Sequence, residues 1–171
     1  MRANALFSLL LLAACAGGGG YRDTDVAIAS KALFEPAKYA GTWYEIARFP
    51  VPYEKGCTKT TATYTPARDG SFDLVNSCVT DGVERRIEGS AKLVGPGRLE
   101  VSFDGLPFVK APYWVLWTDE DYETAVVGVP SGSAGWILNR TPQIRADRLQ
   151  AARDVLEFNG YDLSKLMMVP Q

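Results

Sequence analysis

Between Trp43 and Arg140 the sequence falls into short runs of branched and aromatic residues, each closed by a turn signal. The runs are 43–49, 58–66, 72–79, 83–93, 98–103, 112–118, 123–129 and 135–140. Pro66–Gly70, Thr80–Gly82, Gly95-Pro96-Gly97, Asp104–Pro112, Thr118–Asp121 and Pro130–Gly135 separate them. This cadence constrains the fold more than any other feature. Strands at regular short spacing form a sandwich or a barrel. Eight antiparallel strands in a meander favour a closed up-and-down barrel, because closure removes both unpaired edges. Such a barrel has room for side chains or for one small ligand.

After Arg140 the period changes. Leu149, Ala152, Val155 and Leu156 recur at helical spacing within Ile144–Phe158, and Asn159-Gly160 supplies a stop. Arg145, Asp147, Arg148, Arg153, Asp154 and Glu157 form the other face. Mixed charge suits a helix packed on protein better than one lying on a membrane. Met167-Met168-Val169 is a candidate final edge strand. The expected fold is all-β, an eight-stranded antiparallel up-and-down barrel with one C-terminal α-helix packed outside.

The first residues have a different character. Arg2 precedes a short apolar run, Ala5–Ala14, too short to span a bilayer. Leu12-Ala13-Ala14-Cys15 resembles a bacterial lipobox, in which the cysteine becomes the acylated first residue. The alternative is an ordinary signal peptide followed by an incidental cysteine. Ala16 in place of aspartate suggests the outer rather than the inner membrane. The Gly17–Gly20 run has the composition of a flexible tether. The organisation expected is a leader over 1–14, a lipidated N-terminus and tether over 15–31, and a barrel domain over 32–171. Pro36–Tyr39 is expected to plug the barrel floor.

Composition excludes more than it selects. The chain has a formal charge of −2 and no histidine. No basic run marks a nucleic-acid footprint. Without histidine, Ser-His-Asp and Cys-His catalysis, His-ligated haem and His-based metal chemistry are all removed. No Gly-rich phosphate loop with a following Lys-Ser/Thr is present. Asp119-Glu120-Asp121 reads as a tight solvated turn more readily than as a calcium site. No cofactor, metal or catalytic residue is expected.

Three motifs carry a family resemblance. Gly41-Thr42-Trp43-Tyr44-Glu45-Ile46-Ala47-Arg48 resembles the first signature of the lipocalins, Gly-x-Trp at the closed end of the barrel. Thr118-Asp119-Glu120-Asp121-Tyr122 resembles their second, and Trp136-Ile137-Leu138-Asn139-Arg140-Thr141-Pro142 their third. The wording is most similar to bacterial outer-membrane lipocalins and apolipoprotein D-like proteins, and it extends over roughly Leu33–Val169. The resemblance implies that Arg140 lies across the Trp43 ring as a structural cation–π contact. It also implies an interior that takes a fatty acid, lysophospholipid or other small hydrophobic ligand. The implied role is lipid storage or transport in an outer-membrane envelope. A barrel enzyme of isomerase or epoxide type, and a filled, ligand-free scaffold, are the alternatives.

Side chains alternate along a strand, so one inward residue fixes its neighbours. If Trp43 points inward, so do Glu45 and Ala47; counting back from Arg140 gives Leu138 and Trp136. The same alternation, aligned with lipocalin patterns, implies Ala62, Tyr64, Leu74, Asn76, Ile87, Val101, Phe103, Tyr113, Val115, Trp117 and Val127 as ligand-binding residues. Small residues at inward positions, Ala47, Ala62 and Gly89, argue against complete filling. Glu45 and Asn76 are the polar groups expected near a ligand head. Leu106-Pro107-Phe108-Val109 at the open rim reads as a lid, a membrane-facing lip or an ordinary packed loop.

Cys57 and Cys78 lie at the far ends of two adjacent strands, so strand pairing brings them close, and export favours their oxidation. If the strands pair without a bulge the two side chains need not face the same way, and two unconnected buried thiols are the alternative to a disulfide.

Overall fold

The computed structural model describes residues 20–106 and 108–171. The leader, Cys15 and most of the glycine run therefore lie outside the described residues. Eight strands follow the expected series: β1 (Gly41–Arg48), β2 (Thr58–Pro66), β3 (Phe72–Thr80), β4 (Val83–Gly95), β5 (Arg98–Phe103), β6 (Ala111–Thr118), β7 (Thr124–Gly128) and β8 (Gly135–Asn139). Neighbours pair antiparallel in chain order, and β1 bonds to both β2 and β8, which closes the barrel. A two-residue strand, β9 (Met167–Met168), pairs with Ala47 and Arg48 of β1. A short helix, α1 (Pro36–Tyr39), precedes β1, and α2 (Ala146–Phe158) follows β8.

Two large apolar clusters divide the molecule, with a small third one formed by Val51, Val129 and Ala134. The inner one includes Tyr39, Trp43, Tyr64, Leu74, Val101, Val115, Val127 and Leu138. The outer one lies beneath α2, where Leu156 and Ala152 meet Ile46, Leu116, Val126 and Ile137. Alternation along each strand feeds both layers, which is why the barrel strands read as nearly continuous apolar runs where the helix covers them.

Register slips at four places. The β1–β8 ladder shifts between Glu45 and Ala47, β6–β7 between Val115 and Trp117, β2–β3 between Thr58 and Thr61, and β4–β5 between Leu93 and Gly95. Each extra residue reverses the facing of everything beyond it. The third shift removes the difficulty with the cysteines: it brings Cys57 onto the face of Cys78, and the two form a disulfide with Cα atoms 5.4 Å apart.

The segment expected to be a tether up to residue 31 is packed on the barrel from Tyr21 onward. The Tyr21 N–H donates to Gly132 O at 2.6 Å and its hydroxyl to Pro50 O at 2.6 Å. Asp23 N–H bonds Gly160 O and Lys31 N–H bonds Val115 O, each at 2.8 Å. The strap thus runs from the rim that carries Pro50 and Gly132 down to the far end of the barrel. Composition does not reveal this, because the bonds are made by backbone groups and not by a periodic side-chain pattern.

Gly89 has a different role from the one expected. A Cβ there would lie 2.1 Å from Ser102 O and 3.0 Å from the Phe103 Cα. Close approach of β4 and β5 requires the glycine, so it does not add to the interior volume.

Candidate ligand cavity

The start of β1, the end of β8 and the β6–β7 turn meet at the closed end. The Arg140 guanidinium lies over the Trp43 ring, 3.7 Å from its centre. It donates to the carbonyls of Lys38, Ala40, Thr42 and Tyr122 at 2.7–3.2 Å. The Trp43 indole N–H donates to Tyr39 O at 2.8 Å, tying α1 into the floor. Asp119 accepts from the N–H groups of Glu123 and Thr124, so this part of the acidic run caps its own turn. The hydrogen-bond partners of Arg140 and Trp43 are all backbone carbonyls at the closed end, as a structural joint requires.

Above this floor the hydroxyls of Tyr39 and Tyr113 are hydrogen-bonded at 2.8 Å, and Tyr64 packs against both. Burial pushes all three phenols up, so they remain protonated donors. A cavity of about 90 Å³ opens above them. Of the residues expected to face it, Glu45, Ala62, Tyr64, Leu74, Asn76, Val101, Phe103, Tyr113, Trp136 and Leu138 do line it. Its volume holds about three waters. A pocket that encloses a larger ligand measures about 300–1,000 Å³. A ligand with an acyl chain exceeds this volume unless side chains of the wall move.

The remaining expected residues fall elsewhere. Val115 and Val127 belong to the inner cluster but are covered by other side chains. Ile87 stands opposite Asn76 nearer the mouth and does not line the cavity. Ala47 and Trp117 are corrections: both sit in the outer cluster, beneath or beside α2. Each lies just past a register shift, where parity counted from Trp43 or along β6 inverts. Of the small residues expected to leave space, only Ala62 lines the cavity.

Tyr53, Glu54, Thr60, Thr61 and Ala111, none of them among the residues expected to face the cavity, complete the wall. Tyr53 and Glu54 belong to a 3-10 turn, Pro52–Glu54, between β1 and β2. Paired prolines Pro50 and Pro52 signal a bent, non-strand segment, but not its folding over the mouth. There Glu54 accepts from the Trp136 indole N–H at 3.3 Å.

The same turn completes a charged cluster. Arg48 donates to Glu45 at 2.7 Å, and its Nε lies 3.7 Å from the Glu54 carboxylate. In an unbroken strand residues three apart face opposite ways; the bulge after Glu45 brings Arg48 to the same side. Arg48 also donates to the carbonyls of Glu54 and Cys57, and it is not among the residues that line the cavity. Burial first, and then the charge of Glu54, push the Glu45 carboxyl up to about 8 against the pull of Arg48. Burial raises Glu54 as well, opposed by Trp136 and Arg48. Two carboxylates share one guanidinium.

Two more polar atoms complete the wall. Thr60 Oγ1 and Asn76 Oδ1 are buried and have no hydrogen-bond partner among the described residues. Buried polar atoms in folded proteins are nearly always paired, so an unpaired one in a cavity wall marks a contact point for a guest.

Residues 34–171 match the family described as lipocalin-like domain. The chain belongs to the lipocalin family. Among its relatives, temperature-induced lipocalin-1 of Arabidopsis thaliana is 40% identical over 78% of this chain and 77% of its own. Outer membrane lipoprotein Blc of Escherichia coli K12 is 40% identical, over 81% and 80% respectively. Apolipoprotein D of Mus musculus is 34% identical over 81% and 77%. Among solved structures, insecticyanin of the tobacco hornworm superposes with a TM-score of 0.72 at 25% identity, covering 89% of this chain and 87% of that one. The lipocalin barrel and these relatives support binding of a lipid or other hydrophobic ligand. Among the described residues no helix is long and apolar enough to cross a membrane.

Proposed function

We propose that this lipocalin is anchored to a bacterial outer membrane through acylated Cys15 and binds, stores or hands on a lipid whose head donates hydrogen bonds. A lysophospholipid fits better than an ionised fatty acid. The observation that carries this reading is the polar set of an otherwise apolar cavity. Glu45, Glu54, Asn76 Oδ1 and Thr60 Oγ1 all offer acceptors, and Arg48, paired with both carboxylates, lies outside the wall. A hydroxyl or ammonium is met by these acceptors, whereas a carboxylate would add a further negative charge beside the Glu45–Glu54 pair, whose carboxyls burial already disfavours as anions. Each methylene moved into the barrel adds about 0.8 kcal/mol. A filled scaffold accounts less well for two unpaired buried polar atoms, which cost stability with nothing gained.

The Glu45–Glu54 pair also meets the requirement of the acid/base alternative for a second titrating group. The two readings separate on Glu45→Gln, which abolishes turnover in a barrel enzyme but leaves a binding protein with retained lipid. Native mass spectrometry of protein purified from its own membrane, followed by lipid extraction, tests the main reading. The expected result is a co-purifying lysophospholipid. Recovery of free fatty acid alone removes the head-group argument, and recovery of no lipid removes the ligand. In parallel, Cys15→Ser releases the protein from the membrane fraction; a variant that still pellets with membranes removes the anchor.

A further inference from the structure

The open rim combines two features that nothing above has used. One is where the chain arrives. Tyr21 is hydrogen-bonded to Gly132 and Pro50, and Arg22 to Pro130, so residue 20 lies against the β7–β8 and β1–β2 loops at the open end. Four residues separate it from Cys15, so five Cα–Cα steps span about 18 Å at most. The other is what the rim exposes. Phe108 is 100% and Tyr53 71% exposed, and Leu106, Val109 and Val83 are exposed beside them.

Exposure alone does not select this end, since Leu33 and Val94 are exposed at the closed end and Phe158 on the flank. The tether does. An eight-residue strand tilted by about 40° rises about 20 Å along a barrel axis. A closed-end-down arrangement would hold residue 20 at least that far from the bilayer, beyond the reach of the tether. We infer that the barrel docks mouth-down on a lipid surface, with Leu106, Phe108, Val109, Tyr53 and Val83 entering the interfacial layer and the cavity opening directly onto it. This rests on the anchor reading above and adds the orientation and the route of the ligand, which passes between bilayer and barrel without crossing water.

Charges around the mouth are mixed. Lys55, Arg85, Arg86 and Lys110 stand among Glu54, Asp81, Glu84 and Asp104, so apolar insertion and not attraction to anionic lipid holds the rim down. Docking should therefore be nearly indifferent to salt.

The full, acylated chain can be reconstituted in phosphatidylethanolamine–phosphatidylglycerol vesicles. Three single variants, Val109→Cys at the rim, Val94→Cys at the floor and Phe158→Cys on the flank, are each labelled with an environment-sensitive dye. The Cys57–Cys78 disulfide leaves no competing thiol there. Only the dye at 109 should shift to the blue and be quenched several-fold by nitroxide lipids. If 109 is no better shielded than 94, or if 158 is the shielded position, mouth-down docking is wrong although the protein floats with the vesicles. If the protein does not float at all, the anchor reading fails and takes the docking with it. Phe108→Ser should in addition slow lipid uptake from vesicles several-fold, with Leu33→Ser as the unaffected control; equal rates for the two overturn the proposed route.

Discussion

The two ends of this barrel are built on opposite principles. At the closed end a cation is held by four carbonyls and an aromatic face, and the indole beneath it donates to the helix that plugs the floor. At the open end two carboxylates compete for one arginine, two buried polar atoms lack partners among the described residues, and aromatic side chains face water. The closed end maximises satisfied interactions. The open end forgoes stability at positions that a ligand or a lipid surface can satisfy, which is how strain at a functional site is normally distributed.

The comparison can be broken first by filling the cavity. Val101→Phe adds volume to an already narrow space and should weaken lysophospholipid binding by at least about tenfold. Glu100→Arg, out of phase on the same strand and loosely paired with Lys110 at the surface, should leave binding nearly unchanged. Equal losses measured by calorimetry on folded protein would mean that the inner face of β5 does not form the site.

A smaller effect is expected at the other end. Arg140→Ala should lower stability by about 1–3 kcal/mol through lost packing, hydrogen bonds and cation–π contact. Urea midpoints report it, and ligand affinity of the folded fraction should hardly move. A mutant with an unchanged midpoint would remove the contrast drawn between the two ends.

The pH dependence sharpens the contrast further. The Glu45 carboxyl is raised in the folded state from its ordinary 4.5 to about 8. Folded protein therefore holds a proton that the unfolded chain has released across this window. Stability from this group is complete below about 4.5 and is lost as pH rises through about 8. Glu45→Gln should flatten the fall in urea midpoint between pH 5 and 8. An unaltered slope would show that the charged cluster does not titrate as its burial implies.

The smallest effect separates two tryptophans. Trp136 lines the cavity and Trp117 packs outside, so Trp136→Phe should abolish most of the fluorescence response to lysophospholipid and Trp117→Phe almost none. A response carried by Trp117 would reinstate the unbroken parity of β6.

The fold was legible because its determinants are local. Strand cadence, the switch to helical spacing after Arg140 and the Gly-Thr-Trp, Thr-Asp-x-x-Tyr and Trp-Ile-Leu-Asn-Arg signatures all lie within single segments. Much of the cavity was legible for the same reason: alternation carries Trp43 to Glu45, and Arg140 to Leu138 and Trp136. Alternation also placed Ala47 and Trp117 inside, and there it failed. A bulge is fixed by how neighbouring strands close and by what α2 covers, and neither is encoded in the strand's own pattern. The same slip after Glu45 brings Arg48 beside it, and the turn Pro52–Glu54 adds the second carboxylate from a segment with no periodicity to read. Sequence alone determined the barrel, its helix and the structural joint at its floor. Only tertiary structure decided that the mouth would gather Glu45, Arg48 and Glu54, and that the N-terminal strap would deliver the chain to that rim, because both depend on contacts between residues distant in sequence or on a break in the local period.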